Sequence, residues 1–224
     1  MAIILPDGFR AGVLVSGGLD SCILLGQLLD AGLDVIPFYV RTGVVWESPE
    51  IQAVARFCGA LSTERLAPLV ELEMPVHDLY ARHWSLTGRG TPDTDSPDEA
   101  VYLPGRNALL LIKASVWCQL HDVPQLALAP LGTSPFPDAS AEFIRSFEHV
   151  VNLGAPRPVR IVLPFAHCSK REVMEMGRRY PLAATFSCIA PVDGMHCGAC
   201  NKCAERQTAF RMAALTDPTR YAQD

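Results

Sequence analysis

The sequence predicts an α/β protein built on a mainly parallel sheet that is covered by helices on both faces. Strand and helix signals alternate along most of the chain, which is typical of repeated βα units. A turn with two adjacent glycines joins the first strand to the first helix, where such folds bind ligands. With 224 residues, 49% of them apolar, the chain is long enough to bury a substantial core.

The individual elements follow from short apolar runs and from helical spacing. Helical spacing is clearest in Ile51, Val54, Ala55 and Cys58, which follow a proline suited to a first helical turn. The predicted strands are 12–15, 34–40, 69–74, 125–129 and 158–163. The predicted helices are 19–29, 49–61, 106–120, 139–153 and 170–179.

One long segment interrupts this alternation. Residues 82–102 contain several glycines, prolines and acidic side chains, and they predict a long polar loop. Such a loop is either a solvated acidic surface or a lid over a functional site. The sequence further predicts two units, an α/β domain over 1–185 and a small C-terminal segment over 186–224.

Composition excludes several classes of function. The net charge of −5 argues against a general nucleic-acid surface, because phosphate binding needs an excess of lysine and arginine. No apolar run reaches the length of a membrane span, and residues 1–7 lack a basic leader. We therefore expect a soluble cytoplasmic protein.

The glycine-bearing turn reads Ser-Gly-Gly-Leu-Asp-Ser over residues 16–21. Glycine allows the backbone to turn sharply, and amides at the start of a helix favour an anion. Ser16 and Ser21 add hydroxyl donors, and Asp20 offers a carboxylate to Mg²⁺. The pattern favours a pyrophosphate cradle over an ordinary βα turn. The residues predicted to bind the nucleotide here are Val15, Ser16, Gly17, Gly18, Leu19, Asp20 and Ser21.

This six-residue pattern resembles the PP-loop of the ATP pyrophosphatases, which split ATP between its α and β phosphates. Members of that family adenylate a carbonyl or carboxylate oxygen, and a nucleophile then displaces AMP. The resemblance implies ATP and Mg²⁺ as cofactors.

Two more helix starts carry polar side chains suited to anions. Arg106 and Asn107 open one predicted helix, and Lys170 follows Ser169 at the start of another. Each has a plainer interpretation, since Arg106 and Asn107 could only cap their helix and Lys170 could be a solvated surface lysine.

Eight cysteines fall into two groups. Cys188, Cys197, Cys200 and Cys203 have a spacing that suits four thiolates around one Zn²⁺, which is a structural type of site. An iron–sulfur cluster is an alternative, and His196 could replace one ligand. Disulfides are disfavoured in a cytosolic context. The remaining four, Cys22, Cys58, Cys118 and Cys168, are expected to be buried as small apolar side chains.

Together these motifs, with a Phe-Pro-Asp at 136–138, look like the 7-cyano-7-deazaguanine synthase (QueC) family. The resemblance implies a Rossmann-like PP-loop domain with a zinc segment, usually in a homodimer. It implies an enzyme that activates 7-carboxy-7-deazaguanine with ATP and uses ammonia to reach an amide and then a nitrile, a queuosine precursor. It assigns catalysis to Ser16, Asp20, Ser21 and Lys170, and nucleotide contacts to Arg106 and Asn107.

The chain departs from that family in two segments near the expected substrate. Residues 38–46 lack the family's Tyr-Gly-Gln, and Ala139 and Ser140 follow Asp138 where the family has Cys-Arg. Phe136 and Asp138 are still expected to recognise the base, although Asp138 could instead cap the helix that follows it. A second hypothesis is a ligase that transfers the activated group to another amine, on a protein or nucleic acid. A third hypothesis is a binding module without turnover.

Overall fold

The computed structural model describes residues 9–222; the predicted lack of a leader in residues 1–7 concerns residues outside this range. Five strands form one wholly parallel sheet in the order β3-β2-β1-β4-β5. The chain starts in the middle of the sheet, moves to one edge and then crosses to the other. The strand order therefore reverses beside the end of β1, where such sheets bind ligands. The strands are β1 Arg10–Leu14, β2 Asp34–Arg41, β3 Val70–Glu73, β4 Gln125–Ala127 and β5 Arg160–Val162.

The helices confirm all five of those predicted and add others. They are α1 Leu19–Asp30, α2 Glu47–Leu61, α3 His77–Tyr80, α4 Trp84–Thr87, α5 Arg106–Leu120, α6 Ala141–Asn152, α7 Lys170–Gly177 and α8 Asn201–Met212. Within the described residues none of these helices has both the length and the apolar character needed to cross a membrane.

Alternate side chains of the central strands enter two separate cores. Val35 and Tyr39 of β2 pack on the face covered by α1, α2, α7 and α8. Ile36 and Phe38 pack on the opposite face, under α5 and α6. At Gly12 a Cβ would lie 2.5 Å from the Phe38 ring, so the close approach of β1 and β2 requires glycine there.

The expected long polar loop at 82–102 is wrong in part, because it contains α4 and a 3₁₀-helix at Asp98–Val101. Trp84 stacks on Trp46 with ring centroids 5.6 Å apart, and Val101 is buried. These contacts with distant parts of the chain order a segment whose composition is that of a solvated loop. The segment 82–102 is therefore stabilised by contacts with residues that are distant in sequence.

The sequence did not predict α8. Ala209 and Phe210 of this helix belong to the same core as α1. The guanidinium of Arg206 is buried, and it donates to Thr185 Oγ1 at 2.9 Å and to the Leu182 carbonyl at 3.2 Å. The helix therefore joins the C-terminal segment to the sheet domain, and the division at residue 185 stays a prediction.

Candidate active site

The glycine-bearing turn lies at the carboxyl end of β1 and leads directly into α1. Gly17 has a positive φ of 75°, and a Cβ there would lie 2.9 Å from the backbone oxygen of Glu50. The hydroxyl oxygens of Ser16 and Ser21 are 3.1 Å apart, and Ser21 Oγ also accepts from the Ser16 amide at 3.1 Å. The turn is thus closed by its own serines, with Gly17 in the left-handed conformation that glycine favours.

Lys170 begins α7 and reaches across to this turn. Its Nζ lies 2.6 Å from Asp20 Oδ2 and 2.9 Å from Glu205 Oε1. Burial disfavours the charged amine, but the two carboxylates outweigh it and raise the pKa of Lys170. Only 17% of the side chain is exposed, so its interpretation as a solvated surface lysine is wrong.

The second oxygen of the Asp20 carboxylate is a buried acceptor. Asp20 Oδ1 has no hydrogen-bond donor among residues 9–222. A buried carboxylate oxygen without a donor is costly unless something else contacts it. This atom therefore fits a bound cation or a donor on a ligand, as the sequence predicted for Asp20.

Two charged residues of α8 complete the cluster, and sequence reasoning missed both. Glu205 accepts from Lys202 Nζ at 2.6 Å as well as from Lys170. Burial alone would raise the pKa of Glu205, but the two lysines lower it to about 2. Nothing in the spacing around Cys203 marks these side chains, because Glu205 reaches the site through Lys170, which lies on another element.

Glu50 of α2 is a third acidic group at this edge, and no motif in the sequence marks it. The Tyr39 hydroxyl donates to its Oε2 at 2.7 Å, and both side chains are buried. Burial raises the pKa of Glu50 to about 7, although the nearby charge of Arg106 and the Tyr39 hydrogen bond oppose this. Arg106 Nε is buried without an acceptor in the described part of the chain.

Asp138 is fully engaged with the start of α5. Its two carboxylate oxygens accept from the Asn107 amide nitrogen at 3.2 Å and from Asn107 Nδ2 at 3.0 Å. The helix that follows Asp138 is capped by Ser140 instead, whose Oγ accepts from the Phe143 amide at 3.2 Å. The alternative in which Asp138 caps that helix is therefore wrong, because its carboxylate stabilises α5. Recognition of the base by Asp138 stays a prediction.

Two adjoining cavities open beside the glycine-bearing turn. The main cavity has a volume of about 620 Å³ and extends along the ends of β1, β2 and β4 to α8. The side cavity, of about 230 Å³, lies on the other side of the turn. Gly17 and Asp138 line neither cavity. The predicted residues at the main cavity are Val15, Ser16, Asp20, Ser21, Arg106, Asn107, Phe136 and Lys170, and the side cavity adds Gly18 and Leu19.

The four C-terminal cysteines converge as predicted, with all four sulfur atoms within 4.8 Å of one another. Cys188 Sγ lies 3.8 Å from Cys200 Sγ, and Cys197 Sγ lies 3.9 Å from Cys203 Sγ. Such a group of buried sulfurs could hold a metal ion.

His196 does not belong to this group. Its Nε2 accepts from the Ser187 amide at 3.1 Å. Burial, with the nearby charge of Arg206, lowers its pKa to about 4, so the ring is neutral. The alternative in which His196 replaces a cysteine ligand is wrong.

Of the other cysteines, Cys22 and Cys118 are buried as expected, while Cys58 and Cys168 are half-buried. Burial raises the pKa of all four thiols, so they are protonated at neutral pH.

Comparison with known proteins decides the family. A sequence model described as "Queuosine biosynthesis protein QueC" matches residues 10–214. The chain belongs to the QueC family. It is 31% identical to the 7-cyano-7-deazaguanine synthase of Rhizorhabdus wittichii, over 96% of this chain and 97% of that protein. It is 30% identical to the synthase of Thiobacillus denitrificans, over 94% and 97%.

Solved structures give the same fold for this QueC-family chain at low sequence identity. The U34-tRNA thiolase NcsA of Methanococcus maripaludis, with its 4Fe–4S cluster, matches with a TM-score of 0.52 and 13% identity, over 94% of this chain and 66% of that one. A 4-thiouridine synthetase bound to RNA and ATP matches at 0.51 and 15%, over 94% and 52%. These likenesses confirm the predicted α/β fold.

Proposed function

We propose that this QueC-family protein is an ATP-dependent carbon–nitrogen ligase that adenylates 7-carboxy-7-deazaguanine and aminates it with ammonia. The observation that carries this proposal is the meeting of the PP-loop turn with Lys170 and Arg106 at the mouth of two adjoining cavities. Adenylation needs this arrangement, since two substrates must meet where phosphate charge is stabilised. The main cavity falls within the range of about 300–1,000 Å³ that is usual for small-molecule sites.

In the first step a carboxylate oxygen attacks the α-phosphorus of ATP and pyrophosphate leaves. A carboxylate is a poor electrophile, and its ester with AMP carries a good leaving group. Negative charge builds on the phosphate oxygens, and the amides at the start of α1, the Ser16 and Ser21 hydroxyls and Lys170 are placed to stabilise it. Asp20, with its unpartnered oxygen, would hold Mg²⁺, which neutralises phosphate charge when bound.

In the second step ammonia attacks the acyl carbon, AMP leaves with its oxygen, and one proton is released. A second ATP then adenylates the oxygen of the resulting amide, and pyrophosphate leaves. That oxygen departs with AMP, and the amide nitrogen loses its two protons as the nitrile forms. No side-chain nucleophile is needed, and the protonated thiols of Cys22 and Cys118 are consistent with this.

The sulfur geometry supports zinc as the metal of the four-cysteine group. Zinc bound by thiolates at about 2.3 Å in a tetrahedron sets neighbouring sulfurs about 3.8 Å apart. The observed separations of 3.8 and 3.9 Å match this edge. A cubane cluster binds its cysteines on different iron atoms and therefore spaces them more widely. The backbone amides of Cys197 and Ala190 donate to Cys188 Sγ, both at 3.3 Å, and such donors stabilise a thiolate.

The test is incubation with ATP, Mg²⁺, ammonium and 7-carboxy-7-deazaguanine, followed by mass spectrometry. Amide or nitrile with AMP and pyrophosphate supports the proposal. AMP release that needs a different amine would favour transfer to a protein or nucleic acid. The divergent residues 38–46, near the expected substrate, are the reason for testing this second hypothesis. No AMP with any amine would overturn the enzyme assignment. Light scattering would test the predicted homodimer.

A further inference from the structure

Glu50 differs from the other acidic side chains at the edge shared by the two cavities, because no cation pairs with it. Glu50, Asp20 and Glu205 all line both cavities. Lys170 pairs with Asp20 at 2.6 Å and with Glu205 at 2.9 Å. Among residues 9–222 the Glu50 carboxylate instead accepts from the Tyr39 hydroxyl and forms no ion pair, although only 7% of the residue is exposed.

Glu50 also lies against the PP-loop turn. Its backbone oxygen is 2.9 Å from the position that a Cβ would take at Gly17. Ser16, Ser21 and Arg106 line the same two cavities as Glu50. Glu50 therefore lies at the edge where the proposed acyl adenylate would be attacked.

The other groups at this edge are poor proton acceptors near neutral pH. Burial would raise the pKa of Glu205, but Lys170 and Lys202 lower it to about 2, so this carboxylate stays ionised. Burial and the charge of Glu50 raise the pKa of Tyr39, so its hydroxyl stays a donor. No histidine occurs among the described residues that line either cavity.

The surroundings of Glu50 suit a group that both takes up and releases a proton. Burial raises its pKa to about 7, the charge of Arg106 and the Tyr39 hydrogen bond oppose this, and the charge of Glu47 adds to it. A general base is most effective when its pKa lies near the pH of the reaction. The other charged side chains that line both cavities are Asp20, Arg106, Lys170, Lys202 and Glu205.

We infer that Glu50 accepts the proton that the attacking nitrogen loses during amination. This inference rests on the proposed function and names a further catalytic residue for it. The lone pair of ammonia forms the bond to the acyl carbon, and a proton moves from that nitrogen to a Glu50 oxygen while the N–H electron pair stays on nitrogen. The carbonyl then re-forms, the bond to AMP breaks with its electron pair on the AMP oxygen, and Glu50 passes its proton to water. The nitrile step removes further protons from the same nitrogen, so one acceptor serves both steps.

Two partial reactions of Glu50→Gln test this role. Adenylation transfers no proton, since the substrate carboxylate attacks as an anion, so exchange of labelled pyrophosphate into ATP should stay within about twofold of wild type. Amide formation from ATP, ammonium and 7-carboxy-7-deazaguanine should slow by about 100-fold or more, because a general base contributes about 10²–10⁴ in rate. Glutamine has the shape of the neutral carboxyl group and still accepts from Tyr39, so the fold should tolerate it.

The pH dependence of amination provides a second readout. At a fixed concentration of free ammonia, the wild-type rate should rise with pH through a midpoint near 7, and Glu50→Gln should lose this rise. Tyr39→Phe removes a donor that favours the charged carboxylate, so it should move the midpoint to higher pH. If Glu50 had only a structural role, both variants would keep the wild-type pH profile.

Glu47→Gln is the matched control, because Glu47 lies on the same helix, pairs with Arg41 and lines neither cavity. Both of its partial reactions should stay within about twofold of wild type. A loss of amination in Glu50→Gln that is no greater than its loss of pyrophosphate exchange would overturn the inference, and so would an unchanged pH profile in both Glu50→Gln and Tyr39→Phe.

Failure of the proposed function has a different signature. If the wild-type protein shows neither pyrophosphate exchange nor AMP formation with this substrate, the ligase proposal is wrong and the role of Glu50 falls with it. If the wild type performs both partial reactions and Glu50→Gln performs them equally well, only the role of Glu50 is wrong.

Discussion

The PP-loop turn and the C-terminal segment are built in opposite ways, although both begin from a compact sequence motif. The backbone of the turn is closed chiefly by contacts within residues 16–21, such as the pairing of the Ser16 and Ser21 hydroxyls, and Asp20 adds one distant contact, with Lys170. The helix α8, which begins after Cys200 and contains Cys203, instead contacts distant residues. Asn201 Nδ2 donates to the Ser96 carbonyl at 2.9 Å, and Glu205 accepts from Lys170.

Because of this difference, we expect substitutions in the two regions to affect catalysis and folding stability to different extents. The side chains of the turn face cavities, so their removal should affect catalysis and leave the fold intact. The C-terminal segment holds a buried sulfur cluster, a buried arginine and part of the cavity wall together. Changes there should damage stability and catalysis at once. Four predictions, from the largest expected effect to the smallest, test this contrast.

Cys200→Ser should have the largest effect, because it removes one of the four clustered sulfurs that we propose as zinc ligands, at the residue before α8. Metal content should fall well below one zinc per chain, since binding energy at such a site contributes to folding. The Tm should drop by about 10 °C or more, given that a loss of 1 kcal/mol shifts the Tm of a protein this size by about 2–4 °C. Elemental analysis and thermal melting measure both.

Cys58→Ser, at a half-buried cysteine away from the cluster, is the control and should retain its metal. Recovery of iron with a visible absorption band would show that the iron–sulfur alternative is right. Full zinc occupancy in Cys200→Ser would exclude this ligand set.

Asp20→Ala and Ser16→Ala should abolish AMP formation with little loss of stability. A single hydrogen-bond donor to a developing oxyanion contributes a factor of about 10²–10³ in rate. Asp20→Ala would also remove the carboxylate that is proposed to hold the cation. The Tm should stay within about 3 °C of wild type, because Lys170 keeps its contact with Glu205. Turnover by a folded Asp20→Ala protein at the wild-type rate would rule out this role. Asp122→Ala, at an exposed carboxylate paired with Arg157, is the matched control.

Glu50→Gln should change how stability depends on pH. The pKa of Glu50 is raised to about 7 in the folded protein, chiefly by burial, so the native state binds its proton more tightly than the unfolded chain. Stability from this group is full below about pH 4.5 and is lost as pH rises towards 7, by up to about 3 kcal/mol. Glu50→Gln should remove this decline, as measured by urea unfolding at pH 5 and pH 8. A decline identical to wild type would show that Glu50 is ionised at both values.

Asp138→Asn should have the smallest effect, and it separates two roles for this residue. An amide offers one acceptor oxygen where the carboxylate offers two to Asn107, so we expect a loss of about 1–2 kcal/mol. The affinity for 7-carboxy-7-deazaguanine should stay within twofold, because Asp138 lines neither cavity. A large loss of base affinity with an unchanged Tm would support the recognition role predicted from the sequence.

The sequence by itself determined the parts of this protein whose chemistry is local. Within residues 9–222, alternating apolar runs and helical spacing located all five strands and five of the helices to within a few residues. The PP-loop turn and the four cysteines were identified because a turn and a metal site need particular residue types at short spacing. Here the pattern and the physical requirement lie within the same few residues.

Only the tertiary structure decided which other side chains complete the site. Glu50, Trp84 and Glu205 lie in segments whose spacing marks nothing unusual, and each acquires its role from residues on other elements. Asp138 was assigned to the base from sequence, yet its carboxylate binds Asn107 of another helix. Burial, ion pairing and stacking depend on the separation of atoms in space. Position along the chain does not reveal these separations, because they arise only when the chain folds.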